Sequence, residues 1–133
     1  MMKTFLSSIT FFGLGITLLS MHSNHLVVAQ NSKSEEFIAR GTEPFWSVTV
    51  GKSAIIFSSP DKPKQTFLYT KPLTAQGRPA DLVRVYRLKN RENSILIIKQ
   101  VDTCSDGMSD KNYPYSAIFI LGNQVFEGCA EKK

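Results

Sequence analysis

The residues best suited to chemistry fall in two short segments of this 133-residue chain. The first is Gly41-Thr42-Glu43-Pro44-Phe45-Trp46. The second runs Asp102-Thr103-Cys104-Ser105-Asp106-Gly107-Met108-Ser109-Asp110, followed by Tyr113-Pro114 and closed by Gly128-Cys129. Trp46 is the single tryptophan. It shares alternation with Val48 and Val50, which fits a core position. Its other reading is an aromatic floor for a ligand at the mouth of a barrel. Glu43 is either a ligand-facing carboxylate or an acceptor for backbone donors in its own turn. Asp102, Asp106 and Asp110 recur every four residues, whereas a calcium loop needs ligands at alternate positions and a closing Glu. Asp106-Gly107 reads more simply as a turn, in which Asp accepts from its own backbone and Gly supplies a positive φ. Paired carboxylates can do acid–base work in a cleft, although no spacing here singles out a pair.

What the chain lacks narrows the chemistry further. Both histidines, His22 and His25, lie near the N-terminus. That region starts Met1-Met2-Lys3, continues through the uncharged stretch Thr4–Ser20 and reaches Val27-Val28-Ala29. A short positive start, an apolar run and small residues before a cut are the features of a secretory signal peptide. Its alternative is a retained membrane anchor, for which the stretch is short. Cleavage after Ala29 leaves a mature chain from residue 30 with no histidine, hence no Ser-His-Asp triad, Cys-His pair or His-ligated metal. The mature chain carries 15 basic and 11 acidic side chains, a net of +4. That is too mild for a nucleic-acid-binding face. The stripe Arg84, Arg87, Lys89 and Arg91, with Lys99, reads as a solvated basic face. A lesser reading is attraction to anionic lipid or acidic glycan.

Cys104 and Cys129 are the only cysteines. In an exported chain an even count reads as a disulfide, and neither a Cys-x-x-Cys spacing nor a nearby histidine suggests redox work.

The elements that must position these residues are strands. After a polar stretch at 30–35, short apolar runs alternate with turn residues about every ten positions. The expected strands are Glu36–Arg40, Phe45–Val50, Ala54–Phe57, Gln65–Thr70, Leu82–Lys89, Ser94–Val101, Tyr115–Leu121 and Gln124–Glu127. Gly51-Lys52 and Gly122-Asn123 have the spacing of two-residue hairpin turns, and Asn90–Asn93 joins another pair. Ser58–Lys64, with two prolines, is expected to be loop, as is Lys71–Asp81. Ile95–Ile98 and Ala117–Leu121 lack strict alternation and are expected to be the most buried strands. No segment carries helical periodicity with caps. The expectation is an all-β fold, a small antiparallel barrel or sandwich of about eight strands with one disulfide. Its organisation is a signal segment at 1–29, a flexible mature start at 30–35, one domain at 36–130 and a tail at 131–133.

The combination of Gly-Thr-Glu-Pro-Phe-Trp-Ser-Val, Cys-Ser-Asp-Gly-Met-Ser-Asp with Tyr-x-Tyr after it, and terminal Gly-Cys-Ala resembles a family of uncharacterised bacterial envelope proteins. Its members are often labelled predicted membrane proteins, and some carry these motifs beside a META-type heat-shock lipoprotein domain. The resemblance spans roughly Phe37 to Ala130. It implies a Cys104–Cys129 disulfide and no established activity. A looser likeness, of architecture alone, is to the eight-stranded barrels of periplasmic lysozyme inhibitors. A net of +4 argues against that partner, because a basic lysozyme would repel it.

The leading expectation is a non-enzymatic binding module in the periplasm or outside the cell, taking a small ligand or an envelope protein. Glu43, Phe45, Trp46, Asp106 and Met108 are its candidate binding residues, brought together at one end of the barrel. No cofactor, metal or nucleic acid is called for. Membrane contact is expected only through the leader, or through an inner-membrane anchor if the leader stays. The alternatives are a hydrolase of envelope glycans using carboxylates such as Glu43 and Asp106, and a structural or stress-protective envelope protein.

Overall fold

Apolar residues at alternate positions turn one face of most strands inward. The computed structural model describes residues 34–89 and 93–133. The leader, its cut after Ala29, and Arg91 with most of the Asn90–Asn93 turn lie outside the described residues. Nine strands form: β1 (Phe37–Thr42), β2 (Phe45–Val50), β3 (Ala54–Ser59), β4 (Lys62–Leu68), β5 (Leu73–Thr74), β6 (Val83–Leu88), β7 (Ser94–Ser105), β8 (Asn112–Leu121) and β9 (Gln124–Lys132). They make one antiparallel sheet in the order β4-β3-β2-β1-β9-β8-β7-β6-β5.

That order dictates curvature. Eight spacings of about 4.8 Å would put the edges of a flat sheet about 38 Å apart. Yet the edge strands β4 and β5 are joined by residues 69–72 alone, and such a link reaches at most about 17 Å. The sheet therefore curls into a half-barrel, and the residues after β4 close on β6. Tyr69 lies against Tyr86 with ring centroids 6.5 Å apart, and the Thr70 hydroxyl donates to the Arg87 carbonyl at 3.2 Å. The inward face is solid. Phe57, Phe119 and Phe126 stack with centroids 5.0–6.1 Å apart, and Val48, Val50, Ile55, Leu96 and Ile98 are fully enclosed around them. No helix occurs among the described residues.

The fold differs from the sequence expectation in several places. Leu73–Thr74 forms β5 inside the expected loop Lys71–Asp81, β8 starts at Asn112, β9 runs through Lys132 into the expected tail, and three residues, 51–53, separate β2 from β3 where a two-residue turn is expected. Three further differences have a local reason. Ser58–Lys64 is mostly strand, with only Pro60 and Asp61 left for the turn between β3 and β4. Pro63 is tolerated because β4 is an edge strand, where a missing N–H costs no ladder bond. β7 runs four residues past Val101, and its register against β8 shifts between Gln100 and Cys104. Pro114 sits opposite that shift and has no N–H to offer the ladder. Third, Ile95–Ile98 is not sealed on both faces. Leu96 and Ile98 are buried while Ile95 and Ile97 are half-buried on the convex side, and in β8 Ile118 is exposed.

Candidate functional site

At one end of the half-barrel the two motif segments meet. The Thr42 hydroxyl donates to the Asp106 carbonyl at 2.9 Å. The Trp46 indole N–H donates to the Glu127 carbonyl at 3.2 Å. Cys104 and Cys129 form the disulfide, with Cα atoms 5.7 Å apart. The motif glycines make these approaches possible. A Cβ on Gly128 would lie 2.1 Å from the Arg40 carbonyl oxygen, and one on Gly41 would lie 2.1 Å from the Trp46 indole nitrogen. The Glu43–Pro44 peptide is cis, which suits the tight connection from β1 to β2.

The five candidate residues occupy three kinds of environment there. Trp46 is core, 4% exposed, and its ring packs on Phe119 and Phe126 at 6.2 and 6.0 Å. Asp106 organises its own turn. Its carboxylate accepts from the backbone N–H groups of Met108 and Ser109, both at 2.9 Å, and from the hydroxyls of Ser109 and Tyr113. The Met108 and Ser109 N–H bonds hold its carboxyl below the usual carboxylate range, against a smaller opposing effect of desolvation. Glu43, Phe45 and Met108 are exposed, the last two at 57% and 65%. Phe45 edges an open groove of about 670 Å³ that Gly41, Thr42 and Trp46 also line, together with Arg40 and Pro60. Among the described residues, no three His, Cys, Asp or Glu side chains converge as metal ligands would.

A second site lies where the β4 and β5 edges approach each other. Arg84, grouped by sequence with a solvated basic face, points inward and is 5% exposed. Parity explains it. Arg84 alternates with Tyr86 and Leu88, both buried, whereas Arg87, Lys89 and Lys99 are exposed. The guanidinium lies over the Phe37 ring at 5.0 Å and the Tyr115 ring at 6.0 Å, a cation–π arrangement stronger when desolvated. One of its terminal nitrogens donates to the Asp81 carbonyl at 2.6 Å. The other pairs with the Glu35 carboxylate.

Arg84 forms part of a cavity of about 420 Å³ with Tyr69, Tyr86, Lys71, Thr74 and Asp81. Burial pushes the Tyr86 phenol well above its ordinary value, and the nearby Tyr69 adds to the shift. Tyr86 therefore stays a neutral hydroxyl at the wall. The sequence reading misses this site because it treats the basic residues as one stripe, although the period of two in Leu82–Lys89 already separates Arg84 from the rest.

No protein-family model, curated protein or solved structure matches the chain.

Proposed function

We propose that this is an exported, disulfide-stapled binding module that takes a small ligand at the Arg84 end of its half-barrel. The observation that carries the reading is a guanidinium 5% exposed beside an accessible cavity of about 420 Å³. Withdrawing a charge from water costs several kcal/mol. At the mouth of a small barrel, that cost is offset when the charge orients a ligand between apolar walls. The cavity has the size of small-ligand sites, and Tyr69 and Tyr86 supply aromatic surface with polar tips. Export rests on the leader-like N-terminal sequence and on the oxidised cysteine pair, and the resemblance to envelope proteins agrees with it.

The hydrolase alternative gains nothing from Asp106. As a general acid Asp106 would need a raised pKa, whereas its carboxyl is lowered; as a base or nucleophile it would have to give up the bonds from Met108, Ser109 and Tyr113 that hold its own turn.

The test is amide and side-chain NMR on the purified, oxidised protein, titrated with small carboxylates, amides and amines. Binding here should move the signals of Tyr69, Arg84 and Tyr86 and leave Trp46 still. Perturbation confined to Phe45 and its groove would transfer the site to the opposite end. Silence at both ends would remove the small-ligand reading.

A further inference from the structure

Glu35 lies between two cavities. On one side is the Arg84 mouth; on the other is a hollow lined by Lys52, Lys132 and Lys133 and by Glu36, which pairs with Lys52 at 3.7 Å. Its two carboxylate oxygens are divided accordingly. One pairs with Arg84, and the other accepts from Lys132 Nζ at 2.6 Å. The two partners differ in what they require. Arg84 is enclosed by Phe37 and Tyr115 and cannot turn to water, so it needs an anion at its exposed tip. Glu35 is 39% exposed in its side chain, and Lys132 is 48% exposed. That half of the arrangement is a surface ion pair, which contributes little to stability.

From this asymmetry we infer that Arg84 is a carboxylate-binding site whose resident occupant is Glu35. The ligand is a monocarboxylate with an apolar or aromatic body, and it binds by displacing Glu35 from the guanidinium. The inference rests on the small-ligand reading of the mouth and names that ligand's class. Exchange leaves no charge stranded. The incoming carboxylate takes over the terminal nitrogen of Arg84 that Glu35 holds, the other staying on the Asp81 carbonyl, while Glu35 keeps Lys132 and turns toward the neighbouring hollow. The last backbone rung at this corner, from Lys133 N–H to the Glu36 carbonyl at 2.9 Å, follows Glu35 in sequence, so the side chain can move without opening the sheet.

The choice of class comes from charge and shape. Arg84 is the buried cation of the cavity, Lys71 at the rim is exposed, and Asp81 also lines the cavity. One buried positive charge beside an acidic neighbour suits a monoanion, and a doubly charged phosphate would meet too few cations. Tyr69, Tyr86, Pro72 and Ala80 offer the ligand's body apolar surface. Consistent with a ligand-mimicking role, burial opposes ionisation of Glu35, but the hydrogen bonds from Lys132 and Arg84 outweigh it and keep the carboxyl below its ordinary value.

The experiment titrates wild type and Glu35→Gln with benzoate, benzamide, benzylammonium and inorganic phosphate. Affinity is read by calorimetry and location by the Arg84 side-chain N–H signal. Benzoate should bind both proteins at Arg84, and about tenfold more tightly to Glu35→Gln, the gain expected when a resident group occupies about nine-tenths of the molecules. Glu35→Asp, whose shorter side chain reaches Arg84 poorly, should fall between them and serves as the second variant should Glu35→Gln fold badly. Arg84→Met should lose benzoate. Equal benzoate affinity in wild type and both Glu35 variants would overturn the inference. So would benzamide or phosphate binding as well as benzoate, while the small-ligand reading survived. If none of the probes moves the mouth in any variant, both readings fall.

Discussion

The Trp46 indole N–H reaches across to the Glu127 carbonyl at 3.2 Å, joining β2 to β9 over the strand that separates them. The bond turns the sole tryptophan into a cross-brace of the core, with Phe119 and Phe126 against its ring. Trp46→Phe keeps most of the packing and strands the Glu127 carbonyl, a loss of about 1–3 kcal/mol. Trp46→Ala adds a cavity and should cost about 3–5 kcal/mol. Urea denaturation of both variants measures the difference. A Trp46→Ala protein as stable as wild type would mean that the ring is dispensable to the core.

Gly128 and Gly107 should respond differently to alanine. At Gly128 the new methyl meets Arg40 backbone at 2.1 Å, so β1 and β9 must separate. Overpacking of this kind costs about 1–3 kcal/mol, and more where backbone cannot yield. Gly107 faces open space at a φ of 72°, so Gly107→Ala carries only the left-handed penalty of about 1–2 kcal/mol. Thermal melts should rank Gly128→Ala below Gly107→Ala. The reverse order would show that β1 and β9 have slack at this crossing.

Gly41 and Gly128 illustrate which features the sequence makes legible. Their presence beside Thr42 and Cys129 marks the segments that meet, because close approach needs glycine and the segments carry the turn and disulfide residues. Some strands are equally readable: Trp46, Val48 and Val50 alternate with Ser47 and Thr49, and β2 has the bounds its pattern implies. What escapes depends on partners distant in the chain. Whether Pro63 breaks a strand turns on whether that strand is an edge, which topology decides. The convex faces of Ile95, Ile97 and Ile118 look like core in one dimension because the composition of β7 and β8 is apolar on both sides. Arg84 is legible by parity, but its partner Glu35 lies 49 positions earlier in a polar stretch that resembles any loose terminus.

Asp106 makes the turn that holds Met108 and Ser109 sensitive to acid. Its carboxyl is depressed below the ordinary 3.8, chiefly by the Met108 and Ser109 N–H bonds. The ionised form is therefore favoured by folding. Its contribution is fully present above the unfolded value and is lost as pH falls through the lower folded one. Asp106→Asn should be less stable than wild type at neutral pH, with the gap closing below about pH 4 as the wild-type carboxylate protonates. Denaturation midpoints between pH 2 and 7 test this; a gap constant across that range would assign the turn to hydrogen bonds that do not need the charge.

The disulfide should be the largest single covalent restraint on the folded state. It links Cys104, beyond the β7–β8 register shift, to the fully buried Cys129 of β9. It thereby holds the Asp106 turn over the end where Thr42 and Trp46 lie. Closing a loop of this length removes unfolded-state entropy equivalent to about 3–4 kcal/mol. That is a substantial part of the roughly 5–15 kcal/mol of net stability typical of a domain. Cys104→Ser with Cys129→Ser should lower the unfolding free energy by that amount and weaken the Thr42–Asp106 contact first. Hydrogen exchange should then rise in residues 102–110 before it rises in the β2–β3 hairpin. Uniform exchange across the sheet would mean that the disulfide stabilises the whole half-barrel as one cooperative unit, with no separate hold on the turn.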